Sequence, residues 1–146
     1  MAKRKYEKYI IYKAEAPKDI PEYRHESAEV KSPGMTRLAS LVGNAIPEAP
    51  HMGAMWFLPR PPNNGTKPGV EAHTHEFDEV LGFYGGDPNN PDELYGEVEF
   101  WLGDEKYLLT KSCIIFVPKG LKHCPLFIRK LEKPMLHMGW SPVAPT

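Results

Sequence analysis

An all-β single domain, folded as a sandwich or a barrel, is the architecture this sequence predicts, on two observations. Sixteen prolines and twelve glycines are spread over 146 residues, which cuts the chain into pieces too short for long helices and supplies many turns. Between those breaks short apolar runs recur at fairly regular spacing, the pattern of short strands joined by tight connections. A chain of this length makes one domain, able to bury roughly two-thirds of its unfolded surface.

The elements follow in order. Residues 6–12 read as a first strand. Residues 13–34 are polar and broken by Pro17, Pro21 and Pro33, so they read as an arm. Strands are then expected near 35–41, 52–58, 70–75, 79–84, 95–102, 106–110, 114–117, 124–131 and 135–140. The clearest is 96–102, where Val98, Phe100 and Leu102 share one face and Glu97 and Glu99 the other, an alternation of period two. Gly103-Asp104 then predicts a tight hairpin into 106–110. The run 59–68 holds four prolines and cannot be a ladder strand, residues 87–92 form another loop, and 141–146 read as a tail. There is no internal repeat. The expected organisation is a strand and arm over 1–34, a barrel over 35–140 and the tail.

The bulk chemistry narrows the function. A net charge of -1 argues against nucleic acid or an anionic membrane as partner, since both demand clustered Lys and Arg. Cys113 and Cys124 have no framework spacing, which points to buried thiols in a reducing compartment. No apolar stretch is long enough for a signal peptide or a membrane span, so a cytoplasmic location is expected.

The chemistry concentrates in His73, His75, Glu79 and His123. On a strand, residues at i and i+2 share a face with Cα atoms roughly 6.6 Å apart, so His73 and His75 can aim at one point. A helix fails this test, because residues two apart do not face each other. Glu79 has the same parity, but on an unbroken strand its Cα would lie about 13 Å from that of His75. It joins them only if the chain turns within Glu76-Phe77-Asp78. His123 follows a Pro118-Lys-Gly120 turn that aims the chain back. Imidazole and carboxylate suit Zn, Fe, Mn, Ni, Co or Cu.

This pattern resembles the cupin superfamily. HxH(x)3E(x)6G, the first cupin motif, is matched by His73, His75, Glu79 and Gly86, and PxGxxH of the second by Pro118, Gly120 and His123. The resemblance covers about residues 50 to 140. It implies a jelly-roll β-barrel (a double-stranded β-helix) with three histidines and a glutamate holding a divalent transition metal. The glycine that opens the first motif falls at Lys67, the one that opens the second at Ser112, and the closing Asn at Phe127. These are turn and support positions, so the ligand set is intact.

Three further residues are candidates for contacts around such a metal. His51 begins a strand with Met52, Ala54 and Trp56 at period two, His137 shares a face with Met135 and Gly139, and Tyr84 flanks the first motif. Met52, Met55, Met135 and Met138 read as core, as do Phe83, Phe100, Trp56 and Trp101 unless they serve an interface. Four protein ligands on a six-coordinate metal leave two positions for substrate, water or dioxygen. The expected function is a metal-dependent enzyme acting on a small polar molecule, of dioxygenase, isomerase or decarboxylase type. The alternative is a cupin that binds a small ligand without catalysis, or one in which the metal is a structural staple. A homodimer is expected, for which the arm before Gly34 and Trp101 would suit the interface.

Overall fold

The computed structural model describes residues 4–12, 34–41, 46, 48–62, 68 and 70–142. A 3-10 turn, Glu7–Tyr9, precedes eight strands. These are β1 (Met35–Arg37), β2 (His51–Phe57), β3 (Glu79–Gly85), β4 (Glu93–Leu102), β5 (Glu105–Lys111), β6 (Cys113–Val117), β7 (His123–Leu131) and β8 (Met135–Ser141). All pair antiparallel, in a five-stranded sheet of order β1-β2-β8-β3-β6 and a three-stranded sheet of order β5-β4-β7.

Residues 70–75 complete the second sheet. They do not form a continuous strand, as their alternation predicts, but touch β7 at two bridges, Val70↔Leu126 and His73↔His123. With this broken strand beside β7, every connection from β2 to β8 crosses between the sheets except the β4–β5 hairpin. That is the double-sheet jelly roll. The hairpin turns in two residues, since Leu102 pairs with Glu105, and Gly103 takes φ 61°. A positive φ at the first central position is what such a turn requires, and glycine adopts it without strain.

The core lies between the layers. Phe83 of β3 and Phe100 of β4 are essentially inaccessible and meet edge to face, with ring centroids 6.4 Å apart. Leu94, Val98, Leu126, Leu131 and Met135 close around them. The outward faces of β4 and β7 are tied by Glu99–Arg129 and Glu97–Lys130 ion pairs. Those pairings confirm the alternation expected for this strand.

Several expectations differ. Residues 6–12 make the 3-10 turn instead of a strand, with Tyr6, Tyr9, Ile10 and Tyr12 exposed. Met52 is exposed because it alternates with inward His51 and Gly53 on β2. Trp101 is half-buried and its Nε1 donates to Glu99 Oε2 at 2.9 Å. β8 extends to Ser141, one residue into the expected tail. Most of the 13–34 arm lies outside the described residues.

Candidate metal centre

Three strand positions and two turns bring the site together. His73 and His123 face each other as a hydrogen-bonded antiparallel pair: each N–H donates to the other's carbonyl at 3.0 Å. Directly opposed residues in such a pair project to the same face of the sheet, and the ring centroids are 4.3 Å apart. His75 then approaches His123, with centroids 4.7 Å apart.

Glu79 arrives because the chain turns at Glu76-Phe77-Asp78 before β3 begins. That turn is locked to the one preceding β7. Gly120 N–H donates to His75 O at 3.0 Å, and Lys119 N–H to Asp78 Oδ1 at 2.9 Å. Phe77 is buried and stacks flat on the His75 ring, with centroids 4.1 Å apart and planes 2° from parallel. The Glu79 carboxylate ends 3.5 Å from His75 Nε2 and 3.6 Å from His123 Nε2.

A bulge in β7 lets His123 point inward. Phe100 pairs with Leu126 and Leu102 with His123, so Cys124 and Pro125 together oppose Trp101 alone. Cys124 takes φ 67° at this point. Without the extra residue His123 and Leu126 would face opposite sides, since strand side chains alternate. With it both are buried, His123 at 0% exposure.

The three rings share one orientation rule. Nδ1 of His73 lies 2.6 Å from Glu71 O, Nδ1 of His75 3.1 Å from Phe77 O, and Nδ1 of His123 2.9 Å from Leu121 O. A carbonyl only accepts, so each Nδ1 carries the proton and the neutral ring's lone pair sits on Nε2. Backbone carbonyls holding the far nitrogen are the usual support of metal-binding histidines. One ligand atom from each of the three rings lies within 4.8 Å of the others. Ion-to-donor bonds are roughly 2.0–2.2 Å, so a central ion would draw this set together. The donor set therefore fits a divalent transition metal, with Glu79 beside it.

The other sequence candidates are placed differently. His51 is buried on the inner face of β2 opposite Ser141, and Val80 pairing with Trp140 leaves Ser141 flanking Glu79. His51 thus shares an inner-face row with Glu79, about 10 Å away across two strand spacings. His137 is inward but further along, stacked on Phe83 at 4.4 Å with Nδ1 2.8 Å from Gly82 O. It belongs to the aromatic end of the core. Tyr84 alternates with Phe83 onto the outer face, where its ring lies against Gly82, so the structure does not bring it to the cluster. Phe77 and Asp78 escaped notice in the sequence. The only signal was that Glu79 demanded a turn there.

No protein-family model and no curated protein matches this chain. Among solved structures it is similar to hydroxypropylphosphonic acid epoxidase from S. wedmorenis, at 15% identity and TM-score 0.45, over 75% of this chain and 51% of that one. The chain therefore spans about half the length of that protein. It is similar to KdgF from Halomonas sp., at 16% identity and TM-score 0.45, over 77% and 83% of the two chains. It is also similar to an RmlC-like cupin from Shewanella frigidimarina, at 18% identity and TM-score 0.42, over 78% and 81%.

Proposed function

We propose that this chain is a metal-binding cupin in which His73, His75, His123 and Glu79 hold one divalent transition metal, Fe, Mn, Ni, Co, Cu or Zn. We further infer that it is an enzyme acting on a small polar molecule. The observation that carries the metal assignment is the common arrangement of the three rings, each Nδ1 committed to a backbone carbonyl and each Nε2 turned to the cluster. A core histidine needs one partner for one proton. Three that use the backbone to leave the same nitrogen facing one point, with a carboxylate alongside, are arranged for coordination.

A metal held there would polarise a carbonyl or activate water and, if redox-active, support dioxygen chemistry. The chain's own residues orient the donors. The Gly120–His75 and Lys119–Asp78 bonds fix the turn that presents Glu79, and Phe77 restrains the His75 ring. His51 and Ser141 lie on the Glu79 row of the inner face and are polar side chains that a ligand bound beside the metal could meet. Reaction type lies among dioxygenase, isomerase and decarboxylase chemistry. The lack of framework spacing between Cys113 and Cys124 supports a reducing, cytoplasmic setting, and no helix among the described residues is long and apolar enough to cross a membrane.

Elemental analysis of the purified protein tests the assignment. About one metal ion per chain is expected in the wild type, with occupancy lost in His75→Ala and strongly reduced in Glu79→Ala. Equal trace metal in all three proteins sinks the ligand set. With the metal established, turnover of a small polar substrate that depends on the added ion supports the enzyme reading. Saturable binding without turnover supports the ligand-binding alternative.

A further inference from the structure

The inner face of the five-stranded sheet carries a second charged residue besides Glu79. Met35 of β1 packs against the core while Thr36 is exposed, and strand side chains alternate, so Arg37 faces inward. Its partner across the ladder, Met55, packs on the core as well. Among the described residues that face inward from this sheet, Arg37 and Glu79 are the only charged ones.

Arg37 differs from the other arginines of the barrel. Arg60 gives its guanidinium to the carbonyls of Gly34 and Leu58, and Arg129 is paired with Glu99. Arg37 is partly buried, and among the described residues none forms an ion pair or hydrogen bond with its guanidinium. Burial holds its pKa below the ordinary value. A partly desolvated cation without a partner costs stability, and a guanidinium is a planar fork shaped for a carboxylate.

The registers lay out the ground between the two charges. Gly53 lies one strand and two residues from Arg37, and Gly139 sits beside it on β8. Glu79 lies one further strand and two residues on. The straight line from Arg37 to Glu79 therefore crosses both glycines. A Cβ at Gly53 would meet nothing within 4 Å, and one at Gly139 only Leu81 Cδ2 at 3.6 Å, an ordinary contact. His51 and Ser141 border this track on one side, Met55 and His137 on the other. At roughly 4.8 Å per strand and 3.3 Å per residue the Cα atoms of Arg37 and Glu79 are about 20 Å apart. Two long side chains, an ion and a molecule of a few carbons span that distance together.

We propose that the small molecule taken by this site is a short-chain organic acid, its carboxylate held by Arg37 and an oxygen at its other end reaching the metal. The metal end of this contact rests on the function proposed above; the Arg37 end does not. One cation matches one negative charge, so a carboxylate suits Arg37 better than a phosphate, which approaches two charges at neutral pH. The bare glycine track leaves room for the carbon chain.

Isothermal titration calorimetry of the full chain tests the assignment, with succinate, glutarate and adipate as probes and their monomethyl esters and propyl phosphate as controls. The expected result is saturable binding of one diacid, about tenfold or more tighter than its ester, the usual worth of a hydrogen bond between charged groups. Arg37→Met should bring that diacid down to the affinity of its ester while keeping the wild-type metal content and circular dichroism spectrum. Gly53→Val, which fills the track, should weaken the diacid as well. No binding of any diacid by the wild type overturns the proposal, as does an affinity that Arg37→Met or Gly53→Val leaves unchanged, or tighter binding of propyl phosphate. If Arg37→Met loses its native spectrum, Arg37→Lys decides: a lower diacid affinity supports the contact and a wild-type affinity rejects it. The metal assignment is judged separately, by elemental analysis of His75→Ala. Should that variant keep its metal, the ligand set fails, while a diacid affinity that still falls in Arg37→Met upholds the arginine contact.

Discussion

His73 and His123 exchange two backbone hydrogen bonds of 3.0 Å, and this one pairing joins the two halves of the histidine cluster. It is an isolated bridge, with no continuous ladder around it. Support for the site therefore rests on a few discrete contacts, and each can be removed singly.

Asp78 is the first. Its carboxylate accepts the Lys119 N–H and so couples the turn before Glu79 to the turn before His123. Asp78→Ala is expected to keep the fold and cost about 1 kcal/mol of stability, the net worth of one such bond. Metal affinity should drop about tenfold or more, as for other supporting partners of ligands. Competition with a chromophoric chelator measures it, and wild-type affinity in Asp78→Ala would remove the coupling from the account.

Gly86 and Gly53 make a contrasting pair. A Cβ at Gly86 would collide with the Pro134 carbonyl oxygen, whereas one at Gly53 meets nothing within 4 Å. Gly86→Ala should destabilise by about 1–3 kcal/mol, the usual range for overpacking. Gly53→Ala should leave the urea midpoint nearly unchanged. Similar midpoints for the two variants would contradict the packing described.

Glu99 carries a pH dependence. Burial raises its pKa, but the Trp101 and Arg129 hydrogen bonds and the Arg129 and Lys106 charges outweigh burial and hold it below the ordinary value. A carboxyl whose folded value is depressed adds stability above its unfolded pKa and loses it as pH falls through the folded value. Arg129→Met should therefore lower stability by up to about 1 kcal/mol near pH 7. That difference should shrink toward acid pH, as the carboxyl becomes protonated in the folded as well as the unfolded state. Thermal melts at neutral and acid pH test this, and a larger deficit at acid pH reverses the sign.

The thiols should be slow. Burial pushes the Cys113 thiol above its usual range, and Cys124 is buried beside His123. Only thiolate attacks a disulfide reagent, so Ellman's reagent at pH 8 should modify the native protein well below the rate of a free thiol and release two thiols per chain on unfolding. Rapid labelling of Cys124 in the folded protein would show that the β7 bulge opens.

Much of the architecture was legible locally. The β4–β5 hairpin follows from Gly103 and from the alternation of Val98 and Phe100 with Glu97 and Glu99, because sheet periodicity and turn conformation are properties of neighbouring residues. The turn at Glu76-Phe77-Asp78 was legible as a distance requirement on Glu79. Residues 6–12 misled, since apolar spacing in a short tyrosine-rich stretch does not guarantee a strand to pair with. Tyr84 could not be assigned, because its proximity to the motif in sequence is overruled by its parity on β3.

By itself, then, the sequence determined most of the strands, the β4–β5 turn and the residue types that gather at the histidine cluster, all set by residue type and short-range geometry. Only the tertiary structure decided that His123 faces His73 through the Cys124-Pro125 bulge, and that the backbone carbonyls of Glu71, Phe77 and Leu121 hold each ring's Nδ1. It also decided that Gly53 and Gly139 lie between Arg37 and Glu79 on one inner face. These depend on register between strands distant in the chain, and register is a property of the pair, written in neither strand alone.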